Sequence, residues 1–442
     1  MTGLEIGFIA LAGFILLMFL GIPVPFAMII TATVGILIMS GPVSASQILV
    51  AELYNTFTNY ALTVGPMFGL MGYLASYSGV GDKLFVSINS MFGHRKCGLA
   101  NAVQVAGAGF GAVCGSPPAA TAMFSELAYP EMRARGYQPE IAAGTIIAAS
   151  GLSIIIPPSN NFILYGLITE TSIGQLFLAG IIPGIIVMVL NCCGILLMGK
   201  LRPHWIGGVS ERVAWAERIR SFKNGGLIVI AIVFIISMGG MFAGFFTPTE
   251  AGAVGAFGLF VITLVTKQMN WTRFKNALFA GVRLQAMVFM LLACANVFGK
   301  MLAISKIPMT IGKYVDAVDA SPWVIVTVIL VIYFSLGLFC EQLSLMLITM
   351  PIFFPIVVTV LGYSPVWWGV IVTLIVCIGS LTPPVGVGVF IGKGCIAWDN
   401  EATISRLYSG IWIFVITLVA AVALFLAFPV IVTGLPDVVY GR

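Results

Sequence analysis

Two proline pairs, Pro157-Pro158 and Pro383-Pro384, interrupt long apolar runs at a separation of 226 residues, and this spacing constrains the fold more than any other feature. Proline has no backbone donor and its ring clashes with the preceding turn, so a helix that meets two in succession must break. The setting makes the break costly. Hydrophobic residues make up 60% of the chain and charged ones 8%, and the mean hydropathy is +1.09, which excludes a soluble domain. Apolar runs of about 20 residues between short polar breaks define an all-α polytopic membrane protein and not a barrel, whose strands alternate. Backbone groups freed inside a bilayer are tolerated only where protein or a water-filled cavity covers them.

Other prolines share the offset: Pro23 and Pro248, and Pro130 and Pro355, are each 225 residues apart. The first pair follows a break between two runs. The second closes two segments, 97–134 and 321–361, read as helical hairpins that enter and leave on one side. Full crossings fall near 4–20, 23–40, 61–79, 138–168 and 173–200, then near 226–245, 247–267, 282–302, 365–396 and 405–432. Five crossings per half is an odd number, so the second copy enters from the opposite face. The chain is an inverted structural repeat with two re-entrant helical hairpins and two broken helices, the signature of a secondary transporter with its site near the bilayer midplane. With the amino terminus outside, seventeen Lys and Arg residues fall inside, and only Lys300, Lys306, Lys313 and Arg442 outside. Both termini are therefore expected on the outer side. Counting either hairpin as one crossing would invert everything after it.

Several functions are excluded by what the sequence lacks. The eight cysteines are scattered through apolar stretches without CxxC spacing, and His94 and His204 lie far apart, so no disulfide framework or zinc site is expected. No HExxH or GxSxG motif is present, and the chain is not expected to be an enzyme. The basic residues sit at the ends of apolar runs, where they report orientation and not nucleic-acid binding. The first run, Ile6 to Leu20, has no basic residue before it and no small-residue cleavage site after it, so it is expected to remain as a helix.

The breaks carry the polar chemistry. Gly115-Ser116-Pro117-Pro118 forms the expected tip of the first hairpin, and Ser150 to Asn161 places hydroxyls and amides on both sides of the first broken helix. Gly337 to Glu341 and Gly379 to Gly386 repeat the arrangement. Free carbonyls and hydroxyls suit a sodium ion, whereas free amides at helix starts suit an anion. Glu341 is costly at this depth and is expected to meet a bound cation or a polar substrate group, or else to be protonated or hydrogen-bonded within its own hairpin. A single Pro-Gly break could be a simple kink, but four breaks in two matching pairs are not explained that way. Thr247-Pro248-Thr249-Glu250 resembles a helix start, where Glu250 could serve equally as a cap or in function, and it is left out of the expected site. Gln47 to Tyr60 and Asp82 to Lys96 read as interfacial amphipathic helices or as plain connectors.

At these residues the chain closely resembles the large membrane subunit of the TRAP (tripartite ATP-independent periplasmic) transporters. The matching stretches are GSPPAATA, YPEMRARGY, IPPSNNFILYG, LFLAGIIPG, FTPTEAGA, the segment from Glu341 to Pro355, and GSLTPPVG, which together span nearly the whole sequence. Pro117-Pro118 departs from the small hydroxyl residues more usual after the first serine. The resemblance implies an elevator-type fold in a bacterial or archaeal cytoplasmic (inner) membrane. In that fold 97–172 and 321–400 form the two halves of a transport domain, while 1–96 and 173–320 form a scaffold that includes a cytoplasmic basic loop, 200–224. A C-terminal helix occupies 401–442.

The resemblance also implies import of a small organic anion coupled to two or more Na⁺ ions, without an organic cofactor. One sodium site would use Gly115, Ser116, Ser153, Ile156 and Pro157, and the other Gly337, Leu338, Gly379, Thr382 and Gly386. Substrate would lie near Ser159, Asn160 and Glu341. The implied partners are a small membrane subunit, a periplasmic substrate-binding protein and the surrounding membrane lipids. The alternative is a self-sufficient sodium/carboxylate symporter that needs no binding protein.

Overall fold

The structure, a computed structural model, describes residues 1–209, 214–224, 226–317 and 320–441. Arg212 and Arg442 of the charge count lie outside these residues. Every regular element among the described residues is helical. The first half comprises α1 (Gly3–Phe19), α2 (Val24–Thr58), α3 (Val64–Ser78), α4 (Val80–Phe92), the hairpin α5 (Gly98–Cys114) and α6 (Pro117–Ala134), the broken pair α7 (Pro139–Gly151) and α8 (Asn160–Thr169), and α9 (Ile173–Leu201). A connecting helix, α10 (Trp215–Asn224), leads into the second half. There α11 (Gly226–Phe234) and α12 (Gly240–Phe242), joined by a π-turn, precede α13 (Pro248–Val265), α14 (Trp271–Ser305) and α15 (Ile307–Ala317). The second hairpin is α16 (Pro322–Gly337) and α17 (Gln342–Phe354), the second broken pair α18 (Pro365–Leu381) and α19 (Val387–Cys395), followed by α20 (Ile404–Ala427) and α21 (Val430–Tyr440).

Among the described residues, six helices are individually long and apolar enough to cross a membrane: α2, α9, α13, α14, α20, and α17 with its extension to Val360. A bent pair over α10 to α12 would make a seventh. The expected crossings near 4–20, 138–168 and 365–396 contain shorter apolar helices, Gly3–Phe19, Pro139–Ile154 and Pro365–Leu381, and the last two are the first pieces of the broken helices.

Some boundaries differ from the sequence expectation for local physical reasons. The helix expected to stop near residue 40 continues as α2 through Gly41, whose φ of +83° bends it ahead of Pro42, so most of the stretch from Gln47 to Tyr60 lies in its second segment. Pro130 does not close the first hairpin; it lies inside α6, and the turn follows at Gly136. Pro355 likewise prolongs α17 through a π-turn, Pro355–Val360. At Pro248 the expectation matches the structure: Thr247 and Glu250 form a reciprocal capping box at the start of α13.

Packing divides the chain into two bundles. In one, α14 lies along α2 and α3, with α1 beside α2 and α13 against α3. In the other, the hairpins and broken helices pack with α9, α20 and α21. This placement departs from the expected scaffold 173–320, because α9 joins the hairpin bundle. A Cβ on Gly180 of α9 would overlap the Ile155 carbonyl in the first break, so α9 backs that break directly. Three turns further along α9, Thr417 of α20 donates to Asn191 Oδ1 at 2.6 Å, and Asn191 donates to Gln104 of α5 at 3.2 Å. Asn191 and Thr417 are 226 residues apart, so two repeat mates meet in a buried hydrogen bond.

Candidate functional site

The two hairpin tips and the two breaks converge on one cavity of about 250 Å³. Its wall contains the first two residues of four helices: Pro117 and Pro118 of α6, Asn160 and Asn161 of α8, Gln342 and Leu343 of α17, and Val387 and Gly388 of α19. The first N–H groups of a helix have no partner within it and carry the positive end of the helix dipole. Pro117 and Pro118 have no N–H to offer. Of the other three starts, α17 already has a first-turn amide bonded to the Glu341 carboxylate, which leaves α8 and α19 as the open amide donors. Leu284 and Met287, from the middle of α14, complete the wall. At about 1.5 Å per residue this puts the cavity close to half-way along the longest helix in contact with it.

Each tip is held against its own break by glycine. Gly115 has φ +58°, and a Cβ there would overlap the Pro158 carbonyl oxygen. One and two turns earlier on α5, Gly111 and Gly107 meet Ser153 and Ala149 backbone in the same way. In the second half a Cβ on Gly379 would come within 2.7 Å of Gly337 Cα. Both Pro-Pro bonds, 157-158 and 383-384, are cis.

The expected sodium-site residues fall in two clusters related by the repeat. Ser116 is buried and lines the cavity beside Gly115. Ser153 is buried, and its Oγ donates to the Ser150 carbonyl at 2.7 Å. Ile156 and Pro157 follow in the break, under α9. Gly337 meets Gly379 directly, and Leu338 is the first residue beyond α16. Thr382 is buried and donates to the Ile378 carbonyl at 2.7 Å. Gly386 takes φ +51° and brings its Cα side toward the Thr382 carbonyl. Among the described residues no group of His, Cys, Asp or Glu could hold a metal, so a cation here would depend on carbonyls and hydroxyls, the donor set of a hard ion.

Of the expected substrate residues, Asn160 and Glu341 line the cavity. Ser159 is buried behind it; its hydroxyl accepts from Phe162 N–H, capping α8, and donates to the Ile154 carbonyl. Glu341 caps α17, accepting from the Ser344 amide at 3.1 Å and the Ser344 hydroxyl at 3.2 Å. The carboxylate is thus hydrogen-bonded within its hairpin and still borders the cavity. Among the described residues it is the one formally charged side chain in the wall.

The structure adds polar residues that the sequence did not single out. Asn161 is buried, and its Nδ2 has no hydrogen-bond partner among the described residues. Gln342 donates to Ser380 Oγ at 2.6 Å, tying the second tip to the second broken helix. Thr121 lies one turn into α6. The signal for Asn161 was its place beside Asn160 at a helix start; the Gln342 to Ser380 bridge left no sequence signal.

A fold of inverted repeats whose breaks enclose a cavity between two bundles defines a polytopic membrane transporter. The chain matches the family described as the tripartite ATP-independent periplasmic transporter, DctM component, over residues 11–431, and it belongs to that family. It is 32% identical to the C4-dicarboxylate TRAP transporter large permease protein DctM of Pseudomonas aeruginosa, covering 88% of both chains. It is 29% identical to the sialic acid TRAP transporter large permease protein SiaM of Vibrio cholerae, covering 97% of this chain and 98% of that one. Among solved structures, the fold is similar to the YdaH transporter of Alcanivorax borkumensis, with a TM-score of 0.62 at 15% identity over 88% of this chain and 90% of that one.

Proposed function

We propose that this chain is the translocating subunit of a sodium-coupled importer for a small organic anion, working with a small membrane subunit and a periplasmic binding protein. The observation that carries this reading is the meeting of four helix starts in one mid-helix cavity. Amides at the starts of α8 and α19 favour a carboxylate or sulfonate, and Asn161 adds an uncommitted donor. Among the described residues no Lys or Arg lines the cavity, so positive charge for the anion would come from co-transported Na⁺ at the Gly115–Pro157 and Gly337–Gly386 clusters. The size of the cavity limits the cargo to a small molecule. Relatives whose names specify C4-dicarboxylates, sialic acid, isethionate or ectoine support a cargo among small organic acids and zwitterions.

The packing supports an elevator. The hairpin bundle would slide as a body along α14, α2 and α3, carrying the cavity between two clefts. One cleft, of about 570 Å³, lies between α3, α4 and α6 near Arg273 and shares Pro118 with the cavity. The other lies at the far end of α14. With the basic loops inside, in the inner membrane, both termini are outside and the cavity adjoins the inner cleft.

The test is uptake into proteoliposomes holding this chain and the small membrane protein encoded beside it, with and without an inward sodium gradient and the neighbouring binding protein. Uptake that needs both supports the tripartite reading. Sodium-driven uptake by this chain alone would replace it with the self-sufficient symporter.

A further inference from the structure

A second cavity is larger than the one at the tips. A cleft of about 1210 Å³ opens between α14 and α15 on one side and α17 and the end of α8 on the other. Pockets for drug-sized ligands run to about 300–1,000 Å³, so a small organic acid would leave most of this cleft empty. Its inner wall is mostly apolar, with Ala295, Gly299 and Ala303 among Leu347, Met350 and Phe354, and it is interrupted by Asn296 and Thr169. Its mouth is basic, with Lys300, Lys306 and Lys313 in the lining.

These three lysines are all but one of the basic residues that the charge count leaves on the outer side. Lys300 lies 3.5 Å from Glu52 and is more than half exposed, a geometry that leaves its charge largely available. Lys306 and Lys313 are exposed and have no ion-pair partner among the described side chains. The level of the mouth in the bilayer follows from its neighbours. Tyr54, Tyr314 and Trp323 are 67%, 71% and 45% exposed on α2, α15 and α16, and exposed Tyr and Trp mark headgroup depth. From Lys306 back to Ala295 the wall descends eleven residues of α14. At about 1.5 Å per residue that is roughly 16 Å, about half of a ~30 Å hydrocarbon core.

We propose that this cleft binds an anionic phospholipid of the outer leaflet, its phosphate among Lys300, Lys306 and Lys313 and its acyl chains along α14 against Leu347, Met350 and Phe354. Charge at the mouth, apolar walls and a depth of one leaflet together fit an amphiphile. Because the walls belong to opposite bundles, the lipid also fills the space that a sliding hairpin bundle would have to close.

The test places the photo-cross-linker benzoylphenylalanine at Met309, which lines the mouth, in the full chain reconstituted with equal phosphatidylglycerol and phosphatidylethanolamine. Adduct masses after illumination should show phosphatidylglycerol in excess. Lys300→Gln, Lys306→Gln and Lys313→Gln should each lower the ratio by about fivefold, while phosphatidylethanolamine adducts report that the variants still fold. An unchanged ratio, a protein adduct in place of a lipid one, or absence of phospholipid adducts would overturn the proposal. Loss of the preference in excess inorganic phosphate would assign the lysines to a small free anion and overturn it as well.

Discussion

The two halves of the repeat cap their broken elements in opposite ways. In the first, Ser159 caps the restarted helix α8, while the hairpin helix α6 begins with Pro117-Pro118 and has no side-chain cap. In the second, Glu341 caps the hairpin helix α17, while α19 restarts at Gly386 without a side-chain cap. The second break is instead held from outside, where Tyr408 donates to the Val385 carbonyl at 2.8 Å. One scaffold plan thus yields two unlike surfaces: a hydroxyl and amide wall from half one, and a carboxylate with free amides from half two. An inverted repeat fixes where backbone ends meet, and the side chains at those ends set what each half can bind.

The comparison can be broken most severely at the glycine contacts, which both halves share. Gly379→Leu would drive a side chain into Gly337 and should lower uptake more than about 100-fold, whereas Gly258→Leu, with open space around its Cβ position, should leave uptake near wild type. Equal uptake by the two variants would remove the close approach from the account. Next in size is Glu341→Gln, which keeps an acceptor for Ser344 and removes only the charge. Sodium-driven uptake should fall about tenfold if the charge is used, as expected for the loss of one charge-assisted contact, and wild-type rates would leave Glu341 a helix cap alone. Asn161→Ala removes the uncommitted amide of half one and should raise the KM for the anion about three- to tenfold with little change in Tm. An unaltered KM would make it a packing residue. Ser116→Ala and Thr382→Ala, one in each half, should shift sodium activation by a few-fold, and sodium curves that overlay wild type would count against the respective cluster.

The smallest effect lies where the halves are tied together. Beyond α19, Asp399 accepts from Tyr129 at 2.7 Å and from Arg133 at 2.9 Å, both on α6, and Arg406 pairs with Glu140 at the start of α7 at 2.6 Å. Burial pushes the Asp399 carboxyl up. The hydrogen bonds from Tyr129 and the Glu401 amide, with Arg133 beside it, outweigh burial and hold it below the usual carboxylate value. A folded pKa below the unfolded one stabilises fully above the unfolded value and loses that stabilisation as pH falls through the folded one. Melting temperature should therefore drop in acid below about pH 4, and Asp399→Asn should be less stable than wild type at pH 7 but less sensitive to that acid step. Identical acid profiles would show that the tie does not depend on charge.

Much of this is legible in the sequence because proline and glycine act locally. The offset of 225 to 226 residues marks both hairpins and both breaks, and the polar residues at those breaks identify Ser116, Asn160 and Glu341 as cavity-lining. Contacts between distant segments are not legible. That α9 belongs with the hairpin bundle depends on Gly180 meeting Ile155 and on Asn191 meeting Thr417, and neither is visible in hydropathy. Gly41 reads as the end of a run because a straight apolar helix and a bent one have the same composition. Ser159 reads as a site hydroxyl because a cap and a ligand need the same residue type at a helix start.

The central claim is that cargo binds where the four helix starts meet. It is tested most directly by an electron cryomicroscopy map of this chain with its small membrane partner, in sodium and the anion identified by uptake. The account predicts density for the anion between Asn160, Asn161, Gln342 and the start of α19. Anion density in the cleft at Lys300, Lys306 and Lys313, with the tip cavity empty, would contradict it.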